Sequence, residues 1–384
     1  MQPLYVYAPE LADYDYGPSH PLKMRRLRLT HDLTEAMGLF GPGVRRIAPR
    51  PASPSQLEAA HDPRYLEVLA ESESGILPAA GPAYGLGYCD NPVFPGLFTV
   101  ARLTAGASIE AADCLGKGEA RVAMSIAGGL HHAMYDRASG FCYVNDPVLA
   151  IRRLLDHGMT RVAYVDIDVH HGDGVEAAFW KDDRVLTISL HQDGRTLFPG
   201  TGAVTDIGEG RGRGYAVNVP LLPGADDAVV VRAFDAVVPR FLEAFRPEAV
   251  VAQLGVDSFV EDPLAMLEVT TNGFEAMVRR IAEMSPRLLA LGGGGYHIPN
   301  VARGWTLAWG IVSGQPVADT IPEALREPMR REGHRSDRLR DPEAPAAGSR
   351  RPVPPWLPDA ARVSEAANAV CRYLVDEVLP LVRR

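Results

Sequence analysis

The stretch YVDIDVHHGDGVE, Tyr164 to Glu176, sets three carboxylates and two imidazoles within eight positions, directly after an apolar run. Asp166, Asp168 and His170 alternate with Val165, Ile167 and Val169. Successive side chains of a strand point to opposite faces, so the alternation predicts a strand with these three polar groups on one face. Two unpaired carboxylates on a buried face cost several kcal/mol unless a cation compensates them. A divalent metal is the simplest such cation. Mixed carboxylate and imidazole donors suit zinc or iron better than calcium, which prefers oxygen alone. A salt-bridged strand end is the alternative.

Working outward, short apolar runs alternate with amphipathic ones. Arg121 to Ala127, Arg161 to Val169, Arg184 to Leu190, Ala249 to Val256 and Arg287 to Gly293 read as strands. Pro147 to His157, Ala225 to Phe245 and Thr271 to Met284 read as helices. Strands that are apolar almost throughout, separated by helices, predict a parallel sheet covered on both faces, hence a doubly wound α/β domain reaching to about residue 315. From Glu323 to Pro358 the chain is rich in Arg, Glu, Pro and Ala with little periodicity, which predicts a surface excursion. A terminal helix is expected from about Asp359 to Leu381.

The residues at the carboxyl end of each strand are chemically uniform. The first strand leads into His131 and His132, the second into Asp166, Asp168, His170 and His171, and the third into His191. The fourth leads into Asp257, and the fifth into LGGGGYH with Tyr296 and His297. Ligands of open parallel sheets bind beyond the carboxyl ends of the strands, so these side chains predict one site. Asp168 and His170 are two candidate metal ligands and Asp257 the third, leaving a position open for water and substrate. Zinc lowers the pKa of a bound water to about 7. The tandem His131–His132 offers a base and an acid, with Asp166 and Asp173 each able to orient one ring. The phenol of Tyr296, on its Gly-rich loop, is suited to donate to the oxygen of a polarised carbonyl. Together these parts describe metal-assisted hydrolysis of an amide. His191 and His297 fit better as satisfied core histidines. The four glycines at 292 to 295 are followed by no GK[ST], which argues against a nucleotide loop.

Composition excludes other classes. The chain has 384 residues, 46% of them hydrophobic and 23% charged, with a formal net charge of -9. An acidic chain lacks the basic surface that sequence-independent nucleic-acid binding needs. Cys89, Cys114, Cys142 and Cys371 are scattered, with no CxxC pair, and read as reduced thiols of a cytoplasmic protein. The first residues show no signal peptide, and no apolar run approaches the length of a membrane span.

The chain resembles the zinc-dependent histone deacetylase family, in its bacterial branch of histone deacetylase-like and acetoin utilization proteins. The matching segments are HPLKMRR (His20 to Arg26), AGGLHHAMYDRASGFCYVND (Ala127 to Asp146), YVDIDVHHGDGVE, LFPGTG (Leu197 to Gly202), LGVDS (Leu254 to Ser258) and LGGGGYH. They span roughly residues 1 to 315. The resemblance implies an arginase-deacetylase α/β fold, a single domain with an eight-stranded parallel sheet flanked by helices. Residues 1–315 would be the catalytic domain, and 316–384 a C-terminal extension packed on it.

By the same resemblance, the metal is zinc, with ferrous iron as the other candidate, held by Asp168, His170 and Asp257. His131 and His132 match the active-site pair, with Asp166 and Asp173 as partners, and Tyr296 matches the carbonyl-polarising tyrosine. Gly140, Phe141 and Phe198 match tunnel walls, Leu264 an apolar rim position, and Asp90 a rim carboxylate. Arg26 and Cys142 match an inner cavity. Structural potassium is implied at Asp166, Asp168, His170, Ser189 and Leu190, and again at Phe179, Asp182, Val185 and Tyr215. The implied substrate is an acetylated protein or peptide, and the implied activity is a lysine deacetylase. Leu264 stands where polyamine-specific members carry an acidic gatekeeper, which favours acyl-lysine or a small neutral amide; a deacetylase of acetylpolyamines or another small amide is the alternative enzyme reading. A non-catalytic acyl-lysine binding module is the reading from another class. No residue bears on oligomeric state.

Overall fold

The structure, a computed structural model, describes residues 1–87, 90–343 and 357–382. Among these residues eight strands form one sheet: β1 (Leu4–Val6), β2 (Arg45–Ile47), β3 (Val122–Ser125), β4 (Val162–Asp166), β5 (Val185–Gln192), β6 (Ala216–Leu221), β7 (Ala249–Gln253) and β8 (Leu288–Leu291). Their order is β2-β1-β3-β8-β7-β4-β5-β6, and every pairing is parallel. Strands β4, β7 and β8 are buried at every position, as expected for a sheet covered by helices on both faces.

The covering helices are α1 (Arg25–Ala36), α2 (Pro54–Leu57), α3 (Pro63–Glu71), α4 (Leu97–Gly116), α5 (Asp146–Asp156), α6 (Asp173–Phe179), α7 (Asp227–Phe245), α8 (Thr271–Met284), α9 (Ile298–Ser313), α10 (Glu323–Arg331) and α11 (Ala360–Tyr373). Their starts are legible locally. The side chains of Asn145, Asp226, Thr270 and Asp359 accept backbone N–H bonds at the first turns of α5, α7, α8 and α11.

Three strands escape the sequence reading, each for a physical reason. β1 and β2 are three residues long, too short for periodicity, and β2 lies at a sheet edge. β6 contains Pro220, which argues against a central strand, and it forms the opposite edge, where a missing N–H is tolerated. The excursion from Glu323 also holds a helix. α10 buries Met329 in a small second core with Leu33, Ala302, Leu307, Ile321 and Leu339. The terminal helix is present as α11, continued by a π turn and a short 3-10 turn to Leu381.

Candidate active site

The four middle strands, β3, β8, β7 and β4, bring their carboxyl ends together, and the loops leaving those ends build the site. Contrary to the expectation from alternation, Asp168 and His170 do not lie on a strand face, because β4 ends at Asp166. Ile167 N–H still reaches the Gln253 carbonyl of β7, and from Asp168 on the backbone N–H groups turn to side chains. Asp168 donates to Asp166 Oδ1 (3.0 Å), Val169 to Asp257 Oδ1 (2.9 Å) and His170 to Asp168 Oδ1 (2.9 Å). The loop is thus folded around its own carboxylates, which fixes their orientation more tightly than a strand would.

His170 Nδ1 sits between Asp168 Oδ1 (3.1 Å) and Asp257 Oδ2 (3.0 Å), and all three side chains are buried. One donor atom from each lies within 4.8 Å of the others, a set able to hold a metal ion. The charge balance fits a cation. Burial and the neighbouring Asp168 push the Asp257 carboxyl up to about 7. Burial pulls the His170 imidazole down, but its bonds to Asp168 and Asp257 raise it to about 10. Two carboxylates competing for one imidazolium are short of positive charge, and a divalent ion supplies it. The space is tailored too: a Cβ at Gly294 would collide with Asp257 Oδ2, and one at Gly255 with Asp168 Oδ2.

Beside this set, His131 Nδ1–H donates to Asp166 Oδ2 and His132 Nδ1–H donates to Asp173 Oδ1, both at 2.7 Å. The two Nε2 atoms are 3.0 Å apart. With both Nδ1 protons committed, that contact needs one proton between the Nε2 atoms, so one ring of the pair is cationic. The surroundings decide which. Burial lowers His131, but Asp166 and Asp168 outweigh it and raise it to about 9. Burial and the adjacent His131 lower His132 to about 4. His131 therefore carries the charge and donates to a neutral His132.

One cavity joins these parts to Leu22, Arg26, Gly140, Phe141, Cys142 and Tyr296. Tyr296 N–H donates to Asp262 Oδ2 (2.7 Å), and its ring stands edge-on to Phe141 and His170. Phe141 (φ 69°) and Gly140 (φ 50°) are left-handed, and a Cβ on Gly140 would meet His132 and Phe198. Phe198 packs edge-on against His132 at 5.0 Å while remaining 41% exposed. Arg26 is buried, donates to the Gly295 carbonyl and lies over Trp305. Asp90 is exposed, and its carbonyl lies 3.3 Å from His20 Nε2; the His20 ring abuts Phe141. Leu264 is half-buried beside Asp262, whose Oδ1 accepts its N–H.

The remaining sequence-predicted positions fall close by. Ser189 pairs with Asp166 across β4 and β5, and Leu190 is the next residue of β5. Phe179 ends α6, Asp182 lies in the turn that follows and Val185 begins β5, while the Tyr215 carbonyl accepts from Thr187 N–H. The Asp182 carboxylate is engaged by Arg184. His191 stands apart from the site inside β5, between Ser189 Oγ and the Gly202 carbonyl, and burial lowers it to about 3. His171 bonds Thr201 and Glu176. Cys89 lies outside the described residues.

Several supporting residues escape a reading of the sequence. Gln253, the last residue of β7, donates from Nε2 to Asp168 Oδ2 (2.7 Å) and to the Gly129 carbonyl (3.2 Å). Its only signal is a lone polar residue closing an apolar run. Tyr164 donates its hydroxyl to Asp166 Oδ2 (2.7 Å). Asp146 accepts from the N–H groups of Gly129 and Leu130, and Asn145 Nδ2 donates to the carbonyls of His131 and Ala133. These last two clamp the backbone that presents the histidine pair.

Comparison with known proteins matches residues 20–312 to the histone deacetylase domain. Histone deacetylase 9 of Arabidopsis thaliana is 42% identical over 322 residues, 83% of this chain and 75% of that protein. Histone deacetylase 1 of Homo sapiens is 40% identical over 321 residues, 83% of this chain and 66% of that protein. Among solved structures, an HDAC homolog from Aquifex aeolicus superposes with a TM-score of 0.86 at 32% identity, covering 97% of this chain and 100% of that one. An HDAC homolog complexed with SAHA superposes with a TM-score of 0.85 at 32% identity, covering 96% and 99%. This chain belongs to the histone deacetylase family of hydrolases.

Proposed function

We propose that the protein is a zinc-dependent lysine deacetylase, hydrolysing the acetamide of N-ε-acetyl-lysine in a protein or peptide to lysine and acetate. The observation that carries the reading is the Nε2–Nε2 contact of His131 and His132, each ring backed by a carboxylate, beside the buried Asp168, His170 and Asp257. Those three residues would hold zinc, or ferrous iron, and the metal would polarise the acyl carbonyl and acidify a water.

The chain's own groups do the rest. Phe141 and Phe198, with Gly140 leaving room between their rings and His132, line a passage for the neutral acyl-lysine stem. Asp90 and Leu264 form its rim. Tyr296 donates its phenol proton in a hydrogen bond to the acyl oxygen as negative charge builds there. His132 takes the proton of the attacking water at Nε2, releasing the hydrogen bond from the His131 N–H as it does so. The pair then returns a proton to the departing amine nitrogen, while the cationic His131 steadies the developing negative charge. Asp166 and Asp173 hold the two rings by Nδ1 throughout. Arg26 and Cys142 line the inner end of the cavity, where acetate is formed.

Two potassium ions complete the reading, one at Asp166, Asp168, His170, Ser189 and Leu190, the other at the carbonyls of Phe179, Asp182, Val185 and Tyr215. Residues 1–315 form the catalytic part, supported by 316–384. Cys114, Cys142 and Cys371 are free and buried, which supports a reducing, cytoplasmic setting. Among the described residues no helix is long and apolar enough to cross a membrane.

The test is acetate release by zinc-reconstituted protein from an acetyl-lysine peptide, with Tyr296→Phe alongside. Losing one carbonyl donor should slow turnover by about 10²- to 10³-fold without unfolding the protein. Unchanged turnover in the variant would remove Tyr296 from the mechanism. No release at full metal occupancy, with release from acetylspermidine instead, would replace the protein substrate by a polyamine.

A further inference from the structure

A second cleft lies behind the histidine pair and shares no lining residue with the tunnel cavity. It is bounded by Ala60, Ala133, Tyr135 and Asn145, by Val148 and Arg152 of α5, and by Gly174, Ala177 and Ala178 of α6. Its free space is about 240 Å³, against roughly 10 to 15 Å³ for a single water. Small apolar residues make up one part of the wall, Tyr135, Asn145 and Arg152 give it a polar part, and no carboxylate lines it. The one charged group is Arg152, one helical turn after Val148. Its guanidinium lies 5.6 Å from the centroid of the Phe179 ring. Its Nε is buried and, among the described residues, has no hydrogen-bond partner.

Buried Nε atoms without a partner occur also on Arg26 and Arg303, but the guanidiniums of those two bond to the Gly295 carbonyl and to Asp341, whereas Arg152 faces a cleft. Arginines elsewhere in this acidic chain commonly hold carboxylates, as Arg184 holds Asp182 and Arg340 holds Glu275. A cleft that combines apolar wall with a few polar groups, among them a guanidinium whose Nε has no partner, has the make-up of a ligand site rather than of a packing defect. A guanidinium presents a planar fork matched to a carboxylate. The alanines and Val148 would accept a compact apolar body, and Tyr135, 59% exposed, would cover it at the mouth.

We infer that this cleft binds a small monocarboxylate with an apolar body, its carboxylate on Arg152. The site is close to the chemistry without being part of it. Ala133 forms its wall, and the Ala133 and His131 carbonyls are held by Asn145 Nδ2. Helix α6, which supplies Ala177 and Ala178, begins at Asp173, the partner of His132.

Benzoate is a suitable probe, titrated calorimetrically into the zinc-loaded full chain, so the outcome does not depend on the deacetylase reading. The wild type should bind at one site at millimolar concentrations or below. Arg152→Met, which keeps the apolar stem, should weaken binding about tenfold or more. Ala177→Phe, at an exposed position facing the cleft, should block it to a similar extent. Thermal melts of both variants would show that the fold is intact. Equal affinity in wild type and both variants would put benzoate elsewhere and overturn the inference. So would no binding to the wild type, or loss in Ala177→Phe alone, because the carboxylate would then not rest on Arg152.

Discussion

At the carboxyl edge of the middle strands, charge is buried in excess of its compensation; near the C-terminal segment, it is buried in balance. Asp168 and Asp257 share one imidazole, and burial with mutual repulsion pushes Asp257 up to about 7. In contrast Arg303, 1% exposed on α9, donates to Asp341, to the Leu339 carbonyl and to Asn300 Oδ1. Asp341 in turn accepts from Thr271 N–H at the start of α8. The first arrangement is strained until something cationic arrives. The second fastens one segment to the fold, and its charge is matched by Asp341 although Arg303 Nε has no partner of its own. Buried charge alone therefore does not mark a site; buried charge lacking its counter-charge does.

The comparison breaks most visibly at Asp257. Asp257→Asn keeps the shape and an acceptor for Val169 N–H but removes a ligand charge. Turnover should fall by about 10³-fold or more, since several kcal/mol of electrophilic assistance depend on the ligand set. The melting temperature of the metal-free variant should hold or rise, because an uncompensated carboxylate has been neutralised. Calorimetric melts with and without zinc check both halves. A metal-free variant that melts well below the metal-free wild type would mean that the carboxylate is balanced after all.

Asp341→Ala should behave in the opposite way. It leaves Arg303 buried without its carboxylate, which should cost about 3 kcal/mol, the low end for one partner of a buried pair, since Asp341 is a quarter exposed. Denaturant midpoints measure the loss. Activity of the folded fraction should change little, and a large fall in kcat at full folding would show that this segment reaches the chemistry.

Acid should act on a third kind of buried group, one held neutral. His61 donates from Nδ1 to the Met134 carbonyl and accepts from Asn145 N–H at Nε2, so its tautomer is fixed and its ring neutral. Burial lowers it from the ordinary 6.5 to about 4. The folded state favours the neutral ring, so this stability is complete above pH 6.5 and is lost as pH falls from there towards 4. The loss should reach about 3 kcal/mol. In His61→Gln, the slope of stability against pH in that window should flatten; an unchanged slope would assign the acid sensitivity to other groups.

How much of this is legible in the chain depends on how local the signal is. The histidine pair, the DIDVHH run and the GGGGYH loop are contiguous, and each comes directly after a strand whose apolar run is unmistakable. The sheet edge that gathers them can therefore be read from the residues alone. The edge strands cannot: β1 and β2 are too short, and β6 hides its extended course behind Pro220. Helix α10 escapes because it shows the core little beyond Met329 and carries Pro328 inside. The strand-face reading of Asp168 and His170 fails because side-chain acceptors capture the backbone just past Asp166, a choice that alternation of residue types does not encode. Clamps such as Asn145 and Asp146 act between separate segments of the chain, and nothing in either segment alone announces the partner.

Gln253 is the finest case, and it gives the smallest of the expected effects. It belongs to β7 by pairing, with Asp166 across from it on β4, yet its side chain serves the site. Its Nε2 bridges Asp168 Oδ2 and the Gly129 carbonyl, and its Oε1 accepts from Gly255 N–H. One amide thus links a candidate ligand to the turn leading to His131. Gly293, at φ 140°, passes so near that a Cβ there would strike this amide, so the room around it is as constrained as its bonds. Gln253→Leu removes both donor and acceptor at similar volume and leaves Asp168 free to turn. Loss of an outer partner of a ligand typically costs about 10- to 100-fold in metal affinity or activity, while Gln253→Glu would add a third carboxylate to a cluster already short of cations and should do worse. Zinc affinity by competitive chelation, measured on both variants, separates the two roles of the amide. If Leu weakens zinc and Glu does not, the amide's N–H bonds matter less than its oxygen, which accepts from Gly255 N–H, and the contrast between an unbalanced site and a balanced anchor would have to be redrawn at this residue.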